Sequence, residues 1–340
     1  MNKRDFGSFH ASNVEELIFL SEENYQPPDI PIKLPDFSEY QNEVVTFGKK
    51  IKQKHFVLGE DYTFINHGAF GAVIKDVLLV AQVENCLLAG LHDNTRLVVV
   101  DHIPSNTPFI MPIKEITDIC HERNIKVLVD GAHALGQLDL NLKELDADFY
   151  ATNCHKWLSA CKGTALLYVT KPYQEIMMPL VISHGYDSGF ISRFSWTGLH
   201  DYSPFLALHT ALDFWISLKP ATIRKYMHTL AKQVGDMLAE TWETELLASS
   251  DMIGSMFCVQ LPKVIYKHLV QVCYDHAETI QNILYHKFNI EVPVKVINNA
   301  LYVRVSVHIY NTIEDYQHLA QAVIAIMGQD GLLQEADVPN

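Results

Sequence analysis

At 340 residues with 48% apolar side chains, the chain is long enough to bury a large core, and the length predicts about two domains. Its formal charge of −14 excludes a nucleic-acid surface, because phosphate contacts need clustered Lys and Arg. The one basic run, Lys49, Lys50, Lys52 and Lys54, reads as the wet face of a helix.

No apolar run approaches transmembrane length, and the first residues offer nothing longer than LIFL as the core of a signal peptide. The six cysteines (Cys86, Cys120, Cys154, Cys161, Cys258, Cys273) lack the short paired spacings of a zinc knuckle or a disulfide framework. A reducing cytoplasm is the expected compartment.

Residues 1–46 lack sustained periodicity and carry Pro27, Pro28, Pro31 and Pro35, which fits an N-terminal arm better than a domain. A short amphipathic helix is expected over Phe47 to Phe56, then a strand Tyr62 to Ile65 and a tight turn around Gly68 and Gly71. Val73 to Leu91 has helical spacing of apolar residues. Leu97 to Val100 reads as a buried strand, and Pro112 opens a helix that closes near Asn124. A strand over Lys126 to Val129 completes a right-handed parallel crossover.

A second short strand, Ala147 to Ala151, runs into Asn153, His155 and Lys156. Beyond a Gly-containing loop at Ser183 to Gly189, one helix starts past Pro204. Another follows from the spacing of Ile223, Tyr226, Leu230, Val234, Leu238 and Trp242. Strand Met256 to Leu261, helix His276 to His286, strands Val292 to Ile297 and Leu301 to Val307, and helix Ile313 to Met327 make an α+β unit. The expected division is an arm (1–46), a large domain (47–215) and a small C-terminal domain (216–340).

The chemistry concentrates between Lys126 and Val169. Asp130 ends one strand and Lys156 follows another, and in open α/β sheets ligands sit where strands end. An acid and an amine so placed suit pyridoxal phosphate, whose ring nitrogen needs an anionic partner and whose aldehyde needs an amine. Taken singly, Asp130 is equally a turn residue and Lys156 a surface lysine. Other patterns fail. His121-Glu122 lacks a second histidine for zinc, Gly68 and Gly71 lack the remainder of a dinucleotide loop, and neither G-x-S-x-G nor a Walker lysine is present.

DGAHALGQLDLNLKELDADFYATNCHKWLSACKG, with INHGAFGA, DHIPSN, WTG…DYSP and RVSVHIYNT in the same order, resembles the class V aminotransferases of the fold-type I pyridoxal-phosphate enzymes, in their isopenicillin N epimerase-like branch. The resemblance spans Phe47 to Gly328. It implies an α/β large domain with a mostly parallel sheet, a smaller α+β domain, and a homodimer acting on an amino acid. It further implies that Lys156 forms the internal aldimine and shuttles the proton at the substrate α-carbon. Asp130 would pair with the pyridinium nitrogen, and His133 would pack against or hydrogen-bond the ring. Asn106 would reach the 3-oxygen, and Asn153 and His155 the phosphate. Arg304 would clamp the substrate carboxylate, and Asn66 would join the substrate side. Read without the resemblance, His133 is also a buried, satisfied histidine, Asn106 a turn residue and Arg304 a structural ion-pair partner.

The chain departs from the family pattern between about residues 72 and 96, where one helical stretch stands in place of roughly two βαβ-sized units. The resemblance puts there the helix whose N-terminus cradles the phosphate and the aromatic residue that stacks on the ring. Their loss would weaken cofactor binding and uncover a sheet edge. Leu199 also replaces a threonine that many relatives use for the phosphate. Three readings follow: an epimerase-like or carbon–sulfur lyase-like enzyme; a shortened, catalytically impaired form acting as an interaction protein; and, last, a cysteine desulfurase, which needs a cysteine that is absent between Tyr274 and Arg304.

Overall fold

Two Asp-terminated runs of β-branched residues, LVVVD and KVLVD, form adjacent parallel strands, β1 (Leu97–Asp101) and β2 (Lys126–Asp130). The computed structural model describes residues 83, 85–198, 200–249, 251–328 and 333. The expected arm, the helix from Phe47, the strand from Tyr62, the turn at Gly68 and Gly71, and Leu199 lie outside those residues. Of the helix expected over Val73 to Leu91, residues 83 and 85–90 are described and helical.

Helix α1 (Ile113–His121) makes the crossover from β1 to β2. Pro112 sits at its N-cap, and Ile113, Ile116, Thr117 and Cys120 are buried at helical spacing. Full burial of Ile113 and Ile116 is worth about 1.5–3 kcal/mol each. Asn124 then adopts the left-handed conformation (φ 56°) that turns the chain into β2. A short helix, α2 (Leu142–Leu145), leads to β3 (Phe149–Asn153), which is parallel to β2. Its N-cap, Asn141, accepts from the Lys143 and Glu144 amides.

The next strand, β4 (Ala165–Val169), is antiparallel to β3 and completes a sheet of order β1-β2-β3-β4. The sequence pattern gives no warning of β4, since ALLYV directly follows a glycine loop where a parallel fold leads one to expect a crossover helix. As a result residues 154–164, including Lys156, form the connection of an antiparallel pair. At the outer edges Leu97 and Val99 on β1, and Leu166 and Leu167 on β4, are exposed.

Two short helices, α3 (Lys171–Gln174) and α4 (Phe190–Ser195), flank the loop at Ser183 to Gly189. Helices α5 (Ser203–Leu218) and α6 (Pro220–Trp242) follow, each with a proline in its first turn. Cys154, Leu158, Trp215, Ile223 and Met227 form a small core cluster where the lysine loop meets these helices.

The second sheet is antiparallel with order β5-β7-β6, from β5 (Met256–Gln260), β6 (Val294–Ile297) and β7 (Ala300–Ser306). Helices α7 (Tyr274–Phe288) and α8 (Ile313–Met327) complete the unit. Helix α7 starts two residues before the expected His276 because the His276 ring accepts the Cys273 amide and so ends the preceding loop. Strand alternation divides the sheet. Phe257, Val259, Val294, Leu301, Val303 and Val305 join the core with Leu230, Val234, Leu238, Ile280, Leu284, Leu319 and Val323. Cys258 and Arg304, paired in register, point from the opposite face, and Met256 on that face is buried in the core of the first sheet.

Candidate active site

The strand-end acid is held from both sides. His102 donates its amide to the Asp130 carbonyl at 2.8 Å, Gly131 donates to the Ala151 carbonyl at 2.7 Å, and the Thr152 hydroxyl donates to the Gly131 carbonyl at 2.7 Å. The Asp130 carboxylate accepts the Ala132 amide at 2.9 Å and is exposed to solvent. In the parallel register Asp101 lies beside Asp130. Burial and the neighbouring Asp130 charge raise the Asp101 pKa, against the pull of Lys156.

Beneath the strand ends, the His102 ring meets the Tyr150 hydroxyl at 2.9 Å, and both side chains are buried. Burial holds the His102 pKa at about 4, against 6.5 for a free imidazole, so the unfolded chain takes up this proton first as the pH falls. The predicted outcome is a stability contribution that is intact above pH 6.5 and is lost progressively as the pH drops toward 4, a loss approaching about 3 kcal/mol. Urea unfolding across that window, with the His102 ring signal followed by NMR, checks it. A ring that titrates near 6.5 overturns it.

Lys156 and His133 converge from separate segments. Lys156 Nζ lies 3.4 Å from His133 Nε2, and the Trp157 indole N–H donates to His133 Nδ1 at 3.3 Å. An indole N–H can only donate, so Nδ1 must be the acceptor and the neutral ring carries its proton on Nε2. Burial, then the charges of Lys156 and Arg304, push the His133 pKa down to about 4 against an upward pull from Asp130. His133 is therefore neutral at pH 7. The structure places it beside the lysine.

Two features fix the lysine loop. Gly136 has φ +89°, and a Cβ there would come within 3.0 Å of Trp157 Cβ and 3.1 Å of its carbonyl carbon, so the turn after His133 seats directly on Trp157. On the other side, His308 Nε2–H donates to the Trp157 carbonyl at 3.0 Å, and the two rings stack with centroids 6.1 Å apart. Sequence reasoning assigned neither Trp157 nor His308 a role, although both sit inside the motifs NCHKW and RVSVHIYNT.

Arg304 reaches across from β7. Its Nη1 donates to the Ser105 carbonyl at 2.8 Å and to the Ser105 hydroxyl at 2.7 Å, while its Nε is buried with no partner. Burial lowers its pKa. Asn106 enters through its backbone, its carbonyl accepting the Cys258 S–H at 3.7 Å, and its side chain is exposed. Asn153 is the last residue of β3 and half-buried. His155 has a buried Nδ1 with no hydrogen-bond partner. Asn66 lies outside the described residues, as do residues 72–82 and 84, on which part of the expected phosphate cradle would fall.

These residues fit pyridoxal phosphate. An acid at a strand end, a neutral imidazole and an amine share one electrostatic neighbourhood, and the orphaned His155 Nδ1 beside Lys156 is a group that a phosphate oxygen would satisfy. Among the described residues no cluster of metal-ligating side chains occurs, and no described helix is long and apolar enough to cross a membrane.

The fold is that of the fold-type I pyridoxal-phosphate enzymes. A cysteine desulfurase from Thermococcus onnurineus superposes with a TM-score of 0.57 at 18% identity, over 73% of this chain and 62% of that one. A cysteine desulfurase from Escherichia coli gives 0.57 at 16% identity, with the same coverage. The aminotransferase class-V family model matches residues 81–319, and the chain belongs to that family, whose enzymes use pyridoxal phosphate. It is 32% identical over 255 residues to a probable chloroplastic L-cysteine desulfhydrase of Arabidopsis thaliana, covering 69% of this chain and 52% of the relative. To isopenicillin N epimerase of Streptomyces clavuligerus it is 30% identical over 267 residues, covering 73% and 65%. The chain thus spans about half the length of the desulfhydrase it matches.

Proposed function

We propose that this chain binds pyridoxal phosphate through a Schiff base to Lys156 and acts on a small amino acid in the manner of an isopenicillin N epimerase or a carbon–sulfur lyase. The observation that carries the reading is the convergence of Lys156, His133 and Asp130, joined by the unpartnered His155 Nδ1. When bound, the cofactor supplies an electron sink for the α-carbon of the substrate. Asp130 would keep the ring nitrogen protonated, the neutral His133 would serve the ring, Asn106 would serve the 3-oxygen, and Asn153 and His155 would hold the phosphate. Arg304 would turn its fork to the substrate carboxylate, and the Lys156 amine would move the proton at the α-carbon.

Desulfurase chemistry is disfavoured despite the fold likeness. Cys258 is the cysteine opposite Arg304 in register, and burial pushes its thiol up to about 12, which withholds the thiolate such chemistry needs.

A homodimer fits the exposed apolar surface. Phe205, Leu206, Phe214, Ile216 and Leu218 on α5, with Ile176, Leu180, Val181 and Ile182 before α4, are exposed side chains that a second copy would cover. The six free cysteines suit a reducing compartment such as the cytoplasm. The outer side of β1, unpaired among the described residues and with Leu97 and Val99 exposed, favours, as a second reading, a catalytically impaired form that works through partners.

Borohydride reduction of the chain incubated with pyridoxal phosphate, followed by peptide mapping, decides between them. Cofactor fixed to Lys156 is the expected result. A chain that fixes none is the impaired form. With attachment established, a panel of amino acids and product identification separates epimerisation from elimination.

A further inference from the structure

Arg304 is not the only cation on its face of the second sheet. In the antiparallel pairing of β6 with β7, Lys295 lies opposite Tyr302, and the Arg304 amide donates to the Pro293 carbonyl at 2.9 Å. Arg304 therefore sits opposite Pro293, and Lys295 is its diagonal neighbour on the same face. That separation, about 7–8 Å, lies within reach of two long side chains. Cys258, opposite Arg304, marks this face as the one turned toward Ser105 and Asn106, through the contacts of Arg304 with Ser105 and of Cys258 with Asn106.

The charge at this spot runs against the chain's composition. The protein carries 40 acidic and 26 basic side chains, yet this face brings two cations together as neighbours with no acid between them in the strand register. Among the described residues neither Lys295 nor Arg304 belongs to an ion pair. Glu245, the acid that acts on Tyr302, does not figure in the balance at either cation. Burial and the Arg304 charge lower the Lys295 pKa, and the buried Arg304 Nε has no acceptor. Two like charges as diagonal neighbours repel unless an anion lies between or beside them.

We infer that Lys295 and Arg304 form a two-cation subsite, and that the preferred substrate is an amino acid whose side chain ends in a carboxylate or sulfinate. The inference rests on the reading of Arg304 as the clamp for the substrate α-carboxylate. Arg304 is the one of the two cations that acts on His133, so it takes the carboxylate next to the reacting carbon, and Lys295 takes the side-chain anion. A lysine suits that second role because its ammonium is a point charge on a flexible stem, tolerant of anions of different geometry.

Isothermal titration of the full chain loaded with pyridoxal phosphate tests it, at fixed ionic strength, with L-aspartate, L-cysteine sulfinate and L-alanine. The acidic ligands should bind at least about ten-fold more tightly than L-alanine, the worth of one charge-assisted hydrogen bond. Lys295→Gln should remove that preference and leave L-alanine binding unchanged, and Lys295→Arg should keep most of it. Equal affinities for the three ligands, or a loss in Lys295→Gln that is the same for all of them, overturns the subsite. Borohydride fixation in the same samples separates the two claims. Cofactor fixed without an acidic preference removes the subsite alone. An acidic preference that depends on Lys295 in a chain that fixes no cofactor keeps the subsite and removes the parent reading. Failure of both overturns both.

Discussion

Lys156→Ala is expected to abolish borohydride-fixed pyridoxal phosphate and to lower turnover by at least about 10³-fold, because one amine serves as both attachment point and proton carrier. The fold should be nearly indifferent to the change. The Lys156 side chain holds little in place: its Nζ lies 3.4 Å from His133 Nε2, it is half-buried, and a substitution of that kind alters stability by roughly 0.5 kcal/mol. Lys156→Arg sharpens the result, since it keeps the positive charge near His133 and Asp101 but cannot form the Schiff base. An alanine variant that retains most of its turnover, or that still carries reducible cofactor, sinks the assignment of Lys156. A drop in turnover matched by a drop in unfolding midpoint would trace the effect to stability instead.

The strand ends were legible because two kinds of information agree there. In β1 and β2 the β-branched runs stop on Asp101 and Asp130, and the α1 pattern between them leaves one right-handed parallel solution. The last helix, Ile313–Met327, matched to the residue, because Thr312 and Asp315 form a capping box at its start. By contrast, β4 was invisible. Its five residues have the composition of any buried strand, and only the pairing of Phe149 with Val169 shows that it runs antiparallel. Helix α5 was seen without its consequence, since nothing in a sequence says that an apolar helix stays exposed along most of one side.

Within the candidate site, the residues that sequence proposes are those whose chemistry is local to a motif: Asp130, His133, His155 and Lys156. What the sequence could not supply was contact between distant segments. Trp157 donating to His133, His308 gripping the Trp157 carbonyl, and Arg304 tied to Ser105 all join parts of the chain that only the fold brings together. The Lys295–Arg304 neighbourhood belongs to the same class, because it depends on the register of β6 against β7. At Asn106 the structure adds what a motif does not carry: the backbone carbonyl is engaged with Cys258 and the side chain is exposed.

The largest expected effect on stability lies at Gly131, directly after the strand-end acid. A Cβ built there falls on the Tyr150 ring, and neither side can give way easily. The glycine backbone is held by the Ala151 carbonyl and the Thr152 hydroxyl. Tyr150 is 1% exposed, with its hydroxyl tied to the His102 ring at 2.9 Å. Gly131→Ala is therefore expected to cost about 3 kcal/mol, the upper range of overpacking in a closed core, and to weaken cofactor retention by moving Asp130. Tyr150→Val on its own costs stability by emptying the ring's volume, but it also vacates the space the new methyl needs. In the double variant the two losses should fall short of their sum by at least about 1 kcal/mol, a coupling that only direct contact produces. Urea unfolding of the four proteins measures it. If Gly131→Ala leaves the midpoint unchanged, or the two losses simply add, then the ring and the glycine are not in the contact described, and the support beneath Asp130 must come from elsewhere in the sheet.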